Sequence, residues 1–110
     1  KRRMLLQLGF KCLLAHTTIK KEYVLSKQLL RSGTSIGANL SEAKAAISLN
    51  DLSSKVSIAY KEAQETKYWL DLLKDTHHIS LESHSSLYKD VDEISAILFS
   101  TLKTTRINKQ

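Results

Sequence analysis

Proline is absent from the 110 residues, and glycine appears only at Gly9, Gly33 and Gly37. Sheets and long loops need turn residues at regular intervals, and this chain has almost none to supply. Apolar residues instead return every three or four positions over long stretches, which is the spacing of one buried helix face. The expected class is all-α. Leu5, Leu8, Cys12, Ala15 and Ile19 mark such a face and predict a helix over roughly 2–17. Leu25, Leu29, Ser32, Ile36, Leu40, Ala43 and Ile47 predict a second over 20–48, with Thr17 or Thr18 as its N-cap. Leu52, Val56, Ala59, Ala63, Thr66, Leu70 and Leu73 predict a third over 51–76, capped at Asn50 or Asp51. Leu87, Val91, Ile94, Leu98, Thr101 and Thr105 predict a fourth over 81–107, after the candidate caps Ser80 and Ser83. Links of a few residues cannot carry the chain back along a helix, so neighbours run antiparallel. The architecture expected is an up-down-up-down four-helix bundle, one domain over 1–110.

With 42% hydrophobic residues, a chain of this size can enclose one core. Its longest apolar runs are three or four residues, such as 96–99, far short of the roughly 18 a membrane span needs. Lys1, Arg2 and Arg3 are not followed by a long uncharged apolar region, so no secretory signal is read and a cytoplasmic location is expected. The single cysteine, Cys12, cannot form an internal disulfide and reads as a small buried hydrophobe.

Residues 31–43 fill a helical stretch with small and polar side chains. A glycine costs about 1 kcal/mol relative to alanine inside a helix, so Gly33 and Gly37, on one face, imply close approach of another backbone. Ser32, Gly33, Ser35, Ile36, Gly37 and Asn39 together read as a helix-packing motif. The hydroxyls there are expected to bond back to the preceding turn.

Once the core seams are assigned, Ile58, Tyr68 and Leu72 fall on the far side of the third helix and Phe99 outside the seam of the fourth. A second apolar stripe of this kind suggests an interface between copies of the chain. Tyr60 and Trp69 flank the core seam and read as core-edge packing.

The net charge of +6 is unevenly spread. Residues 1–31 hold eight basic and one acidic side chain, residues 103–110 three basic and none acidic, and the middle six basic and ten acidic. In an up-down-up-down bundle the first helix starts where the fourth ends, which gathers Lys1, Arg2, Arg3, Lys103, Arg106 and Lys109 at one pole, with Lys44 near it. Such a cluster can bind the phosphates of RNA or DNA through counterion release, without reading base sequence. The alternative partner is a helix of another protein laid on the stripe of Ile58, Tyr68 and Leu72.

No reaction is legible. His16, His77, His78 and His84 fall near the opposite pole, but the adjacent His77 and His78 cannot both face one ligand set on a regular helix. A di-iron bundle needs Glu-x-x-His pairs, and the sequence contains none. Glu62 with Glu65 and Asp90 with Glu93 read as solvated charge beside lysines. Walker, dinucleotide and Gly-x-Ser-x-Gly motifs are all missing. The expectation is a protein without catalytic residues, cofactor or metal.

The run from Tyr23 to Ala43, YVLSKQLLRSGTSIGANLSEA, resembles the second-helix signature of the four-helix bundle proteins encoded in bacterial large-subunit ribosomal RNA intervening sequences. The likeness continues through residues 55–73, KVSIAYKEAQETKYWLDLL, and 92–98, DEISAIL. It covers roughly 20–105. This resemblance implies an antiparallel bundle that assembles into a ring-shaped homopentamer with no established enzymatic activity. A more distant likeness of fold, to the accessory proteins of diversity-generating retroelements, implies basic pentamers that bind nucleic acid.

Overall fold

The computed structural model describes the backbone of residues 2–18 and 23–109 and the side chains of 4–17 and 23–105. Lys1 and Ile19 lie outside the described residues. Four helices follow one another: α1 (Arg2–Thr18), α2 (Tyr23–Ala43), α3 (Leu49–Asp75) and α4 (Leu81–Lys109). They form an all-α four-helix bundle, 48 Å long and 22 × 20 Å across. Each helix packs on its neighbours in chain order and α1 closes the bundle against α4, so α1 lies diagonally across from α3. The α1–α4 seam is much the slightest.

The threes-and-fours spacing finds every buried residue of α3 except Ser53: Val56, Ala59, Ala63, Thr66, Leu70 and Leu73 are buried, and Leu52 packs against them. Leu8 and Cys12 of α1, Leu29 and Ile36 of α2, and Leu87, Val91, Ile94 and Leu98 of α4 complete the same cluster. Leu102 joins it, whereas the expected Thr101 stays half-buried. Alanine, serine and threonine at the α2–α3 contact bring these helices close. There the fully buried Thr66 hydroxyl donates to Ser32 Oγ at 3.0 Å, which satisfies a polar pair in the middle of the core.

The helix ends differ from the sequence expectation in places, each for a local reason. Helix α1 continues through Thr18, and the Thr17 hydroxyl donates back to Leu14 O instead of capping α2. Helix α2 stops at Ala43, so Ile47, expected on the seam, is 93% exposed in the following turn. The cap of α3 is Ser48, whose Oγ accepts from Asp51 N at 3.0 Å, while the Asp51 carboxylate accepts from Ile47 N. Asn50 and Asp51 therefore sit in the first turn. At the other end of α3, His78 N donates to Leu73 O and His77 N to Lys74 O, a Schellman closure with His77 at φ 63 in the left-handed region. Ser80 caps α4 by accepting from Ser83 N at 3.0 Å.

Candidate functional site

The motif on α2 divides into residues that serve the protomer and residues that do not. A Cβ at Gly33 would lie 2.5 Å from Cys12 Sγ, so the absent side chain is what admits α1 at this level. The neighbour is a buried side chain, not the backbone that the sequence suggested. A Cβ at Gly37 would meet nothing within 4 Å, so the close approach expected there is not made inside the chain. Ile36 and Ser32 are buried, and Ser32 points back to Leu29 O as well as meeting Thr66. The Asn39 amide donates to Ser35 O at 2.9 Å, so these polar groups satisfy one another within the helix.

Cys12 is fully buried, and its thiol is pushed up to about 12, first by burial and then by the nearby Asp90 carboxylate. That holds it as a neutral, unreactive packing group.

Gly37 lines a long apolar groove bounded by α1, α2 and α4, about 1170 Å³ in volume, with Val56 of α3 also in its lining. Gly9, Phe10 and Leu13 form its α1 wall, Gly37 and Ala38 part of its α2 wall, and Lys44 marks one end. That α1 wall is itself exposed, at Leu6 (67%), Phe10 (61%) and Leu13, and Leu14 is exposed next to it. The sequence reading found the inward face of α1 and missed this outward one. The signal was present: apolar residues occur on every side of α1, which a helix with only one buried face does not need.

The residues expected to form a second apolar stripe fall on two flanks. Ile58 and Tyr68 are exposed and Leu72 half-buried on the outer side of α3. Phe99 packs against Tyr60 on the α3–α4 flank, ring centroids 5.9 Å apart, with Lys103 Nζ 5.7 Å above its ring. Tyr60 and Trp69 are core-edge residues, as their spacing indicates.

The charge map is refined by three bridges. Arg31 of α2 reaches Glu62 and Glu65 of α3, and Glu65 also accepts from Trp69 Nε1. Lys11 of α1 meets Asp90 of α4 at 2.6 Å and the Ser86 hydroxyl at 3.1 Å. Glu62, Glu65 and Asp90 are thus cross-helix partners, not the freely solvated charges read from the sequence, and two of the early cations are neutralised internally. Arg2 and Arg3 begin α1, Lys103 is exposed near the end of α4 with Arg106 and Lys109 beyond it, and Lys44 is exposed in the α2–α3 turn. The side chains of Lys1, Arg2, Arg3, Arg106 and Lys109 lie outside the described residues. The acids at this end include Glu42, held by Lys55 at 2.7 Å, and Asp51, committed to the α3 cap.

The histidines are dispersed. His16 faces Ser26 and Tyr23 at the α1–α2 corner, while His84 bonds Asp71 at 2.8 Å and stacks on Tyr88 at the α3–α4 corner. Among the described residues no group of three or more His, Cys, Asp or Glu side chains could hold a metal ion. No helix among them is long and apolar enough to cross a membrane.

A model of the 23S rRNA-intervening sequence protein family matches residues 3–100. The chain belongs to this family. Its fold is similar to the 1.70 Å crystal structure of a protein of unknown function from the S23 ribosomal protein family of Bacteroides thetaiotaomicron. The two are 43% identical with a TM-score of 0.90, over 93% of this chain and 97% of that one. No curated protein matches the chain. The 23S rRNA-intervening sequence family match spans all four helices, including the α1 face that the motif resemblance left uncovered.

Proposed function

We propose that this member of the 23S rRNA-intervening sequence family is a non-enzymatic, ring-forming bundle, a homopentamer, that binds RNA or DNA through the basic pole of its protomers. The observation that carries the nucleic-acid reading is the antiparallel topology, which sets the start of α1, the α2–α3 turn and the end of α4 at one end of the bundle. Lys44 and Lys103 are exposed there, and the described acids Glu42 and Asp51 are already engaged. Clustered cations of this kind bind phosphates by releasing condensed counterions. The family and its solved relative are both named for the ribosome or its RNA, which supports RNA as the first ligand to try. The assembly reading is supported by the exposed α1 face, and the subunit number of five by the family resemblance.

The test is a titration of nucleic-acid-free protein against a labelled structured RNA at several salt concentrations. It is repeated with Lys1, Arg2, Arg3, Lys103, Arg106 and Lys109 replaced by Gln. Engagement of about six phosphates should weaken binding roughly 10³-fold between 50 and 200 mM salt, and the substituted protein should not bind. Equal binding by both proteins, or none by either at low salt, overturns the basic-pole reading. The second result leaves a protein-interaction module.

A further inference from the structure

Ile47 is the most exposed large apolar side chain among the described residues, at 93%, although the local structure offers it a partner. An apolar residue just before a helix cap ordinarily folds down onto the fourth residue of the helix, closing a hydrophobic staple. Here that pair is Ile47 and Leu52, but Leu52 packs against the core and Ile47 stands clear. The turn holds it there: Ser48 is extended, at φ −158 and ψ 166, and caps α3, while the Asp51 carboxylate accepts from Ile47 N at 3.3 Å. Leu49, 43% exposed, begins α3 beside it.

The surroundings are cationic. Tyr60 sits against Phe99, Ser95 bonds Gln64 and Lys67 bonds Asp92, so each step forward on α3 is one step back on α4. That register sets the backbone of Asn50 level with Lys109 and that of Ser53 level with Arg106, at the tip the turn crowns. Lys44 opens the turn, exposed and with no ion-pair partner among the described residues, and Lys103 is exposed on α4. The acids nearby are used, Glu42 by Lys55 and Asp51 by the turn itself.

An apolar side chain on a cationic tip gains nothing from phosphates. In nucleic acid the apolar surfaces are the faces of the bases, which a duplex stacks away and an unpaired strand or loop presents. Cations alone favour the opposite choice, because a duplex carries the denser phosphate charge.

We propose that Ile47, with Leu49 beside it, packs on the face of an unpaired base while Lys44 and Lys103 hold flanking phosphates, so that the basic pole selects unpaired RNA over duplex. This rests on the nucleic-acid reading above and names the form of RNA that the pole takes.

The experiment compares a labelled single-stranded RNA with a blunt duplex of equal length, over a series of salt concentrations, for wild type, Ile47→Ser and Ile47→Phe. Both substitutions change a side chain that is almost wholly exposed, so circular dichroism and sedimentation should match wild type. Wild type is expected to bind the single strand more tightly than the duplex. Ile47→Ser should lose about tenfold on the single strand and little on the duplex, as removal of one apolar contact predicts. The slope of affinity against salt should stay the same, because no cation has been removed. Ile47→Phe should bind the single strand at least as tightly as wild type, since a ring stacks on any base.

A duplex preference in wild type, or equal affinity of wild type and Ile47→Ser for the single strand, overturns the proposal and leaves the basic-pole reading intact. Loss of binding to phosphatidylserine vesicles in Ile47→Ser, with RNA binding unchanged, also overturns it and gives the tip to a lipid surface. Altered sedimentation of Ile47→Ser overturns it in favour of a contact between copies. Wild type that binds neither RNA at low salt removes both readings.

Discussion

Gly33→Ala tests the notch between α1 and α2 in a way that can be worked from distances. The new Cβ would sit 2.5 Å from Cys12 Sγ and 3.4 Å from Cys12 Cβ. The first distance is well inside van der Waals contact and the second is only tight. Cys12 is fully buried and has one rotatable side-chain bond, so relief requires either swinging the sulfur into packed neighbours or moving α1 outward. Overpacking of this kind costs about 1–3 kcal/mol, and the better helix propensity of alanine returns about 1 kcal/mol. The expected net loss is at most about 2 kcal/mol, with a fall in melting temperature of roughly 4–8 °C per kcal/mol for a chain near this size. The decisive comparison is with Cys12→Ala. In that background the sulfur is gone, and Gly33→Ala should be neutral or mildly stabilising, giving a coupling of about 1–3 kcal/mol in the double-mutant cycle. Urea unfolding followed by Trp69 fluorescence and circular dichroism, at one fixed protein concentration, measures all four corners. If Gly33→Ala has the same effect with cysteine or alanine at position 12, the notch does not position α1 and the reasoning fails.

Two other outcomes follow from the described contacts. The Cys12 thiol stays protonated in the folded chain up to about 12, against an ordinary value of 9.0, so both states hold the proton below pH 9 and only the unfolded chain loses it above. Stability should therefore fall with rising pH above 9 by at most about 1.4 kcal/mol per unit from this group, and urea midpoints of Cys12→Ala should fall less steeply over the same range; parallel slopes would contradict it. His77→Gly should raise stability by about 1 kcal/mol, because a non-glycine residue holds the left-handed position that closes α3. An unchanged or lower melting temperature would show that the His77 side chain compensates for its backbone.

The fold was legible because three of the four helices obey a single rule. On α3 every apolar residue of the buried cluster from Leu52 to Leu73 that faces the core seam was found from spacing alone, and only the buried Ser53 was missed, since a helix buried along one stripe leaves that period in its apolar residues. The end of α2 was misread because Lys44-Ala-Ala-Ile47 contains neither glycine nor proline and Ile47 continues the period. The correct signal was Ser48 followed by an acid at Asp51, a cap whose partner lies three residues on. The small-residue motif was half legible: a sequence shows that Gly33 and Gly37 share a face, but the crossing point of α1 decides which of them meets Cys12. The cross-helix bridges of Arg31 and Lys11 were hidden for a related reason, because they join residues 31, 34 and 79 positions apart. The groove was missed because α1 is apolar on several sides, and a search for one face stops when it finds one.

The elongated form described above has a consequence in surface area. A monomer of 12.4 kDa ordinarily exposes about 6100 Å², yet this protomer exposes 6912 Å². The excess of roughly 800 Å² is comparable to what one partner contributes to a standard contact. The protomer is thus over-surfaced for its mass, and burying one side of it against a neighbour would return the chain to the ordinary ratio of surface to bulk.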